Sequence, residues 1–260
     1  MFFMSKIEKT EVYEKYVNWV DRVTAFLAET GPKLGENGTH CCTFQSKPVL
    51  DKQPDVVFLG YNPHESGAFS QDDIIQKRFF EGNPAFYSPE RKKWKVWKLE
   101  GAFEWAEYPQ PITDGNFVFF NAVYFGSNDI DSFKRIPGSN EAIDKCLDFT
   151  KEVIQEIFEP KCVVGFSIPE CFDMLNKKFQ FSKVESIDTA KATDSMLIEF
   201  AKNKKNGAWK NTYSCCQSLK KGLWNEIPIY GIPHPSYSRL SNDDYGAIAL
   251  YLRSEMQKLL

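Results

Sequence analysis

Long hydrophobic runs are missing from this chain. Its most continuous ones, Val56 to Leu59 and Phe117 to Phe120, fall far short of the roughly 20 apolar residues that span a bilayer, which argues against a transmembrane helix. A secretory leader is not legible either. Met-Phe-Phe-Met gives way at once to Ser5, Lys6, Glu8 and Lys9, without the basic head, apolar stretch and small-residue cleavage site of a signal peptide. The expectation is an intracellular, cytoplasmic protein with no membrane attachment.

Thiol pairs with metal spacing are lacking as well. Seven cysteines in 260 residues are too few for the disulfide framework of a small secreted domain. Cys41-Cys42 and Cys215-Cys216 lack the two-residue spacer that lets neighbouring thiolates face one ion. Reduced thiols are expected, with no metal and no other cofactor. Positive charge is in deficit, the formal net charge being −3, so a broad electrostatic grip on nucleic acid is excluded. A local grip is not. Lys and Arg gather in Arg91-Lys92-Lys93-Trp94-Lys95-Val96-Trp97-Lys98 and again at Lys202, Lys204 and Lys205. The first cluster reads either as a backbone-tracking patch with interleaved aromatics or, preferred here, as a helix that buries its tryptophans and exposes its lysines.

Apolar material is plentiful: 42% of residues are hydrophobic and 15% aromatic, enough for a substantial core. From about residue 9 to 29, Val12, Tyr16, Trp19, Val20, Val23, Phe26 and Leu27 recur at helical steps until Gly31-Pro32, which predicts an amphipathic helix. Four short apolar runs, at 55–61, 117–124, 162–166 and 227–232, have the character of strands buried on both faces. A helix opening at Ser139-Asn140-Glu141 separates the second from the third, and another opens at Ser241-Asn242-Asp243. Alternating buried strands and helices predict a three-layer α/β/α fold around a central, mostly parallel, four-stranded sheet. A single domain over residues 1–260 is the simplest organisation, with the weakly periodic segment 183–218 as an insertion.

In such folds ligands bind beyond the carboxyl ends of the strands, and three strand ends carry chemistry. The first runs into Gly60-Tyr61-Asn62-Pro63-His64, where Gly permits a close turn and Pro sets the chain direction after Asn. Taken alone, Asn-Pro is equally ordinary turn punctuation. The second ends in Asn121, an amide whose burial is costly unless it is bonded, either by a neighbouring loop or by the edge of a base. The fourth leads into Pro233-His234-Pro235-Ser236, two prolines holding an imidazole in place, although a lone loop histidine is more often a surface residue.

The order of these motifs resembles the uracil-DNA glycosylase superfamily. There a first strand ends in Gly-x-Asp/Asn-Pro, a middle strand in a base-reading Asn, and the last in a His-Pro-Ser type motif. Gly60 to Pro63, Asn121 and His234 to Ser236 stand at those places. Asn in the first motif is closer to the mismatch-specific and single-strand-selective branches than to the main branch, which has Asp. The resemblance covers the core strands but neither the N-terminal helix nor 183–218. It implies a monofunctional DNA glycosylase, acting without metal or cofactor on DNA carrying uracil or a related lesion, and a monomer.

On that resemblance Asn62 and His234 are catalytic, Asn62 orienting water and His234 donating to the departing base. Gly60, Tyr61, Pro63, His64, Asn121 and Ser236 line the substrate site, and Phe80, from Phe79-Phe80-Glu81-Gly82, either stacks on the base or is an ordinary core aromatic. Tyr237, Ser238 and Arg239 follow the histidine motif as DNA contacts, Arg239 as the wedge. His64 departs from the family, which has Tyr in the main branch and Gly in the mismatch branch, so the base excised is left open. A non-catalytic base reader on the same fold is the rival reading, and a hydrolase of another small substrate the third.

Overall fold

The four apolar runs become the parallel centre of a six-stranded sheet. The structure, a computed structural model, describes residues 11–35, 41, 43–63, 74, 76–107, 116–127, 130–204, 209–236 and 239–259. Its strands are β1 (Val56–Gly60), β2 (Phe117–Asn121), β3 (Cys162–Phe166), β4 (Ser182–Asp188), β5 (Ser218–Trp224) and β6 (Ile227–Ile232), in the spatial order β2-β1-β3-β6-β5-β4. The first four in that order run parallel, whereas β5 lies antiparallel to both β6 and β4. The helices are α1 (Glu11–Leu34), α2 (Gln76–Glu81), α3 (Trp97–Trp105), α4 (Ile130–Lys134), α5 (Ser139–Glu152), α6 (Met174–Phe179), α7 (Thr189–Ala192), α8 (Ser195–Lys204) and α9 (Asn242–Met256).

Side chains alternate across a strand, so each parallel strand feeds two cores. Val57, Leu59, Val118, Phe120 and Val163 join Tyr16, Trp19 and Val23 of α1 and Cys146 and Leu147 of α5. Val56, Phe58, Phe117, Cys162 and Val164 join Leu99 and Phe103 of α3, Leu197 of α8, and Ile248 and Leu252 of α9. The architecture is therefore α/β with helices on both faces of a mixed, mostly parallel sheet. Each fully buried large side chain in these layers stabilises the fold by about 1.5–3 kcal/mol. No helix among the described residues is long and apolar enough to cross a membrane.

Three expectations need correction. The sheet has six strands, not four, and 183–218 is not a mere insertion: it supplies edge strand β4 together with α7 and α8. The reason is local. Ser-Lys-Val-Glu-Ser-Ile-Asp of β4 is exposed over most of its length, and β5 buries only Leu219, Gly222 and Trp224, so neither carries a continuous apolar run. Next, α1 continues through Pro32 to Leu34, because Leu27 and Leu34 lie seven residues apart on one buried stripe. Finally, α5 is capped not by Ser139 but by Gly138, whose φ of 80° suits glycine.

Candidate active site at the carboxyl ends of the parallel strands

Because β2, β1, β3 and β6 are parallel, their carboxyl ends open on one edge of the sheet. Gly60 and Asn121 are paired across β1 and β2. They are closer than two ordinary residues allow: a Cβ on Gly60 would stand 2.4 Å from Asn121 Oδ1 and 3.9 Å from the ring of Phe119. Glycine is required at 60 so that the Asn121 carboxamide can cross it. The backbone N–H of Asn121 donates to Thr43 C=O at 3.0 Å, fixing the strand end from its other side, and the residue is only 6% exposed.

The loop after β1 is laced to the loop after β2. Ala122, Val123 and Ser127 donate their N–H groups to the carbonyls of Gly60, Tyr61 and Pro63 at 2.8, 2.7 and 3.0 Å. Asn62 is held within this lacing, its Nδ2 donating to Ser127 Oγ at 3.0 Å and to Phe125 C=O at 3.4 Å. The nitrogen is thus the tethered end of the amide. Tyr61 and Pro63 are buried. The Tyr61 ring belongs to the core on the α1 face, where burial pushes its phenol up to about 12, so Tyr61 contributes backbone rather than ring to this edge.

His234 stands two residues beyond β6, which β3 alone separates from β1. Two strand spacings put the ends of β6 and β1 about 10 Å apart. The N–H of Ser236 donates to His234 Nδ1 at 3.1 Å, and Ser236 Oγ lies 2.6 Å from the same nitrogen. A backbone N–H cannot accept, so Nδ1 is the acceptor and the neutral ring carries its proton on Nε2. The loop is tied down by Tyr245 of α9, whose hydroxyl donates to Pro235 C=O.

Between these strand ends lies Ser167, which directly follows β3 with φ 80° and ψ 115°. A non-glycine residue at such a φ stores strain of about 1–3 kcal/mol and marks functional sites often. Its N–H donates to Ile232 C=O at 3.0 Å, and its carbonyl accepts from Cys171 and Phe172. Those bonds hold the conformation and tie β3 to β6 just below His234.

On the sheet face that Asn121 shares, a narrow cleft with about 20 Å³ of free space lies among Phe58, Phe86, Trp97, Glu100, Phe119 and Phe166. It is aromatic on nearly every side: Phe166 stacks on Phe58 with centroids 5.8 Å apart and meets Phe119 edge-on at 5.4 Å. Its lining is almost wholly apolar, Trp97 and Glu100 being its polar members. Trp97 Nε1 is buried without a hydrogen-bond partner among the described residues, and the Glu100 carboxyl is raised by its burial, against the lowering pull of Arg91.

Asn62, Asn121 and His234 are thus brought to one edge, with Gly60 and Ser236 holding them. Phe80 is not. Its ring packs on Tyr16 and Tyr13 of α1, at 5.6 and 6.4 Å, on the sheet face opposite Asn121, because α2 docks its apolar side on α1. Arg239 is exposed. His64, Tyr237 and Ser238 lie outside the described residues. No family model matches the chain, and no curated protein is significantly similar to it.

Several site residues escaped the sequence reading. Phe58 and Phe119 were within reach, since each precedes Gly60 or Asn121 by two residues and so shares its face. Phe86, Trp97 and Ser167 carry no such signal. Among the described residues, no three His, Cys, Asp or Glu side chains are grouped so as to hold a metal ion.

Proposed function

We propose that this chain is a DNA glycosylase that takes an extruded uracil, or a related modified pyrimidine, at the Gly60–Asn121 edge and hydrolyses its N-glycosidic bond. The observation that carries the reading is the crossing of the Asn121 amide over Gly60 above an aromatic cleft, on the same sheet edge as Asn62 and His234. The motif resemblance to the uracil-DNA glycosylase superfamily adds to it.

An extruded nucleotide brings its base edge to Asn121, whose amide offers one donor side and one acceptor side and so matches the N3–H and carbonyl of uracil. As the bond to C1′ breaks, the base departs as an anion and the sugar becomes cation-like. His234, with its proton on Nε2, donates to the oxyanion that develops on the base carbonyl and stabilises the transition state more than the substrate. Asn62 accepts from water through Oδ1 and aims it at C1′. The water gives its hydroxyl to C1′ and its proton passes through solvent to the departing base anion, so the products are the free base and an abasic site. An amide cannot take a proton as a carboxylate does, and general-base help is worth about a hundredfold or more, so turnover is slow.

That same property favours a second reading, a base reader without cleavage. One experiment separates the two: release of free base from oligonucleotides with a single uracil, opposite guanine or in single strand, by wild type, Asn62→Ala and His234→Ala. The glycosylase reading requires release by wild type and its loss in both variants. DNA binding without any release supports the reader.

A further inference from the structure

The basic segment ahead of α3 buries its tryptophans and exposes its lysines as the sequence suggests, but in a tighter winding than an α-helix. Residues Pro89–Lys93 form a 3₁₀ helix, and the tight winding persists into α3. Trp94, Trp97, Lys98 and Leu99 each donate a backbone N–H to the carbonyl three residues back, at 2.8 to 3.1 Å. In 3₁₀ winding, residues three apart eclipse one another about 6 Å apart along the axis.

The segment therefore sorts into rows. Arg91, Trp94 and Trp97 face inward, the guanidinium of Arg91 lying 4.6 Å over Trp97 and both indoles packing on Phe86. Lys92, Lys95 and Lys98 form the outer row. All three are exposed, and none makes an ion pair with a described residue. Glu100, two residues beyond Lys98, is paired with Arg91.

This row runs toward the candidate site. Lys98 Nζ lies 5.9 Å over the ring of Tyr245, and the hydroxyl of Tyr245 holds Pro235, next to His234. The inner side of the same segment walls the aromatic cleft through Trp97. Lysines recurring at every third residue of this exposed row offer a line of cations to the successive phosphates of a nucleic-acid strand, on a chain whose overall net charge is −3.

We propose that Lys92, Lys95 and Lys98 form a phosphate-binding rail that carries the DNA strand leading away from the extruded base. That the strand is DNA rests on the glycosylase reading. The rail explains how an acidic protein holds a polyanion, through three aligned contacts rather than a basic surface.

The test is fluorescence anisotropy over a range of salt with a labelled oligodeoxycytidine, and with the matching ribo-oligomer. Neither contains uracil, so binding is read apart from base release. Wild type is compared with Lys92→Glu/Lys95→Glu/Lys98→Glu, with the milder triple change to Gln, and with Lys52→Glu/Lys145→Glu/Lys177→Glu, which makes the same charge change at exposed sites elsewhere. Thermal melts check that each variant folds.

The rail predicts at least a tenfold weaker hold on DNA for the first triple and a smaller loss for the Gln triple. The control triple should change affinity far less. Each single-strand phosphate contact contributes about 0.7 to the slope of log affinity against log salt, so losing three flattens it by about 2. Unchanged binding in the first triple, an equal loss in the control, absence of DNA binding by wild type, or tighter hold on the ribo-oligomer would overturn the proposal. If the rail fails while uracil release still depends on His234, the catalytic reading stands. If the rail holds and wild type releases no uracil, that reading fails alone.

Discussion

The carboxamide of Asn121 lies across the α-carbon of Gly60, its Oδ1 where a side chain on residue 60 would begin, 2.4 Å from the position of that Cβ. The obstructing atom is the tip of a short side chain rather than backbone. Gly60→Ala should therefore swing Asn121 aside while leaving the strand in place. The expected outcome is a ten- to hundredfold fall in base release, from losing hydrogen bonds worth about 1–3 kcal/mol, with a melting temperature close to that of wild type. Steady-state kinetics beside thermal unfolding checks it.

Ser236 offers two donors to one ring nitrogen, and they are separable. Ser236→Ala keeps the backbone N–H that defines the His234 tautomer and should cost less than about tenfold, in line with the roughly 1 kcal/mol net value of one hydrogen bond. Ser236→Pro removes the N–H and should cost much more in kcat. Equal rates for the two variants would show that the tautomer does not matter.

Tyr245 holds the His234 loop through its hydroxyl alone at that point. Tyr245→Phe should lower stability by about 1 kcal/mol and loosen the imidazole. The fall in kcat should then exceed any change in KM, since the ring would no longer be held for the transition state. Kinetics on a uracil-containing strand resolves the two parameters.

Glu255 sets an acid limit on the fold. Burial works to raise its carboxyl, but Lys221 and Lys258 outweigh it and hold it below the ordinary 4.5. Both lysines contact it, and the Tyr230 hydroxyl adds a bond at 3.3 Å. A carboxyl depressed in the folded state gives stability that is complete above its unfolded value and drains away as pH falls through the folded one. Denaturant titrations should show wild type losing stability below about pH 4.5. Glu255→Gln should be less stable at neutral pH and flatter across that window.

How far the fold was readable follows from burial. The central strands are legible because each is wrapped on both faces, so Val56 to Gly60 and Cys162 to Phe166 are nearly continuous apolar runs. Strand β4 is not, since its exposed Lys183, Val184 and Glu185 obey no burial pattern. Asn62, Asn121 and His234 stood out because polar groups at the ends of apolar strands must be bonded or used. The partner rings did not, because Phe80 and Phe86 look alike in sequence. Only the docking of α2 on α1 sends the first away from the cleft, while the turn after Asn83 brings the second into it.

The most direct test of the account concerns what Asn121 reads. Release of uracil and of cytosine from otherwise identical strands should be measured for wild type and Asn121→Asp, which replaces a donor–acceptor edge with an acceptor-only one suited to the exocyclic amine of cytosine. Wild type should release uracil and no cytosine, and the variant should lose that preference. Release that ignores the substitution, or no release of either base by wild type, would contradict it.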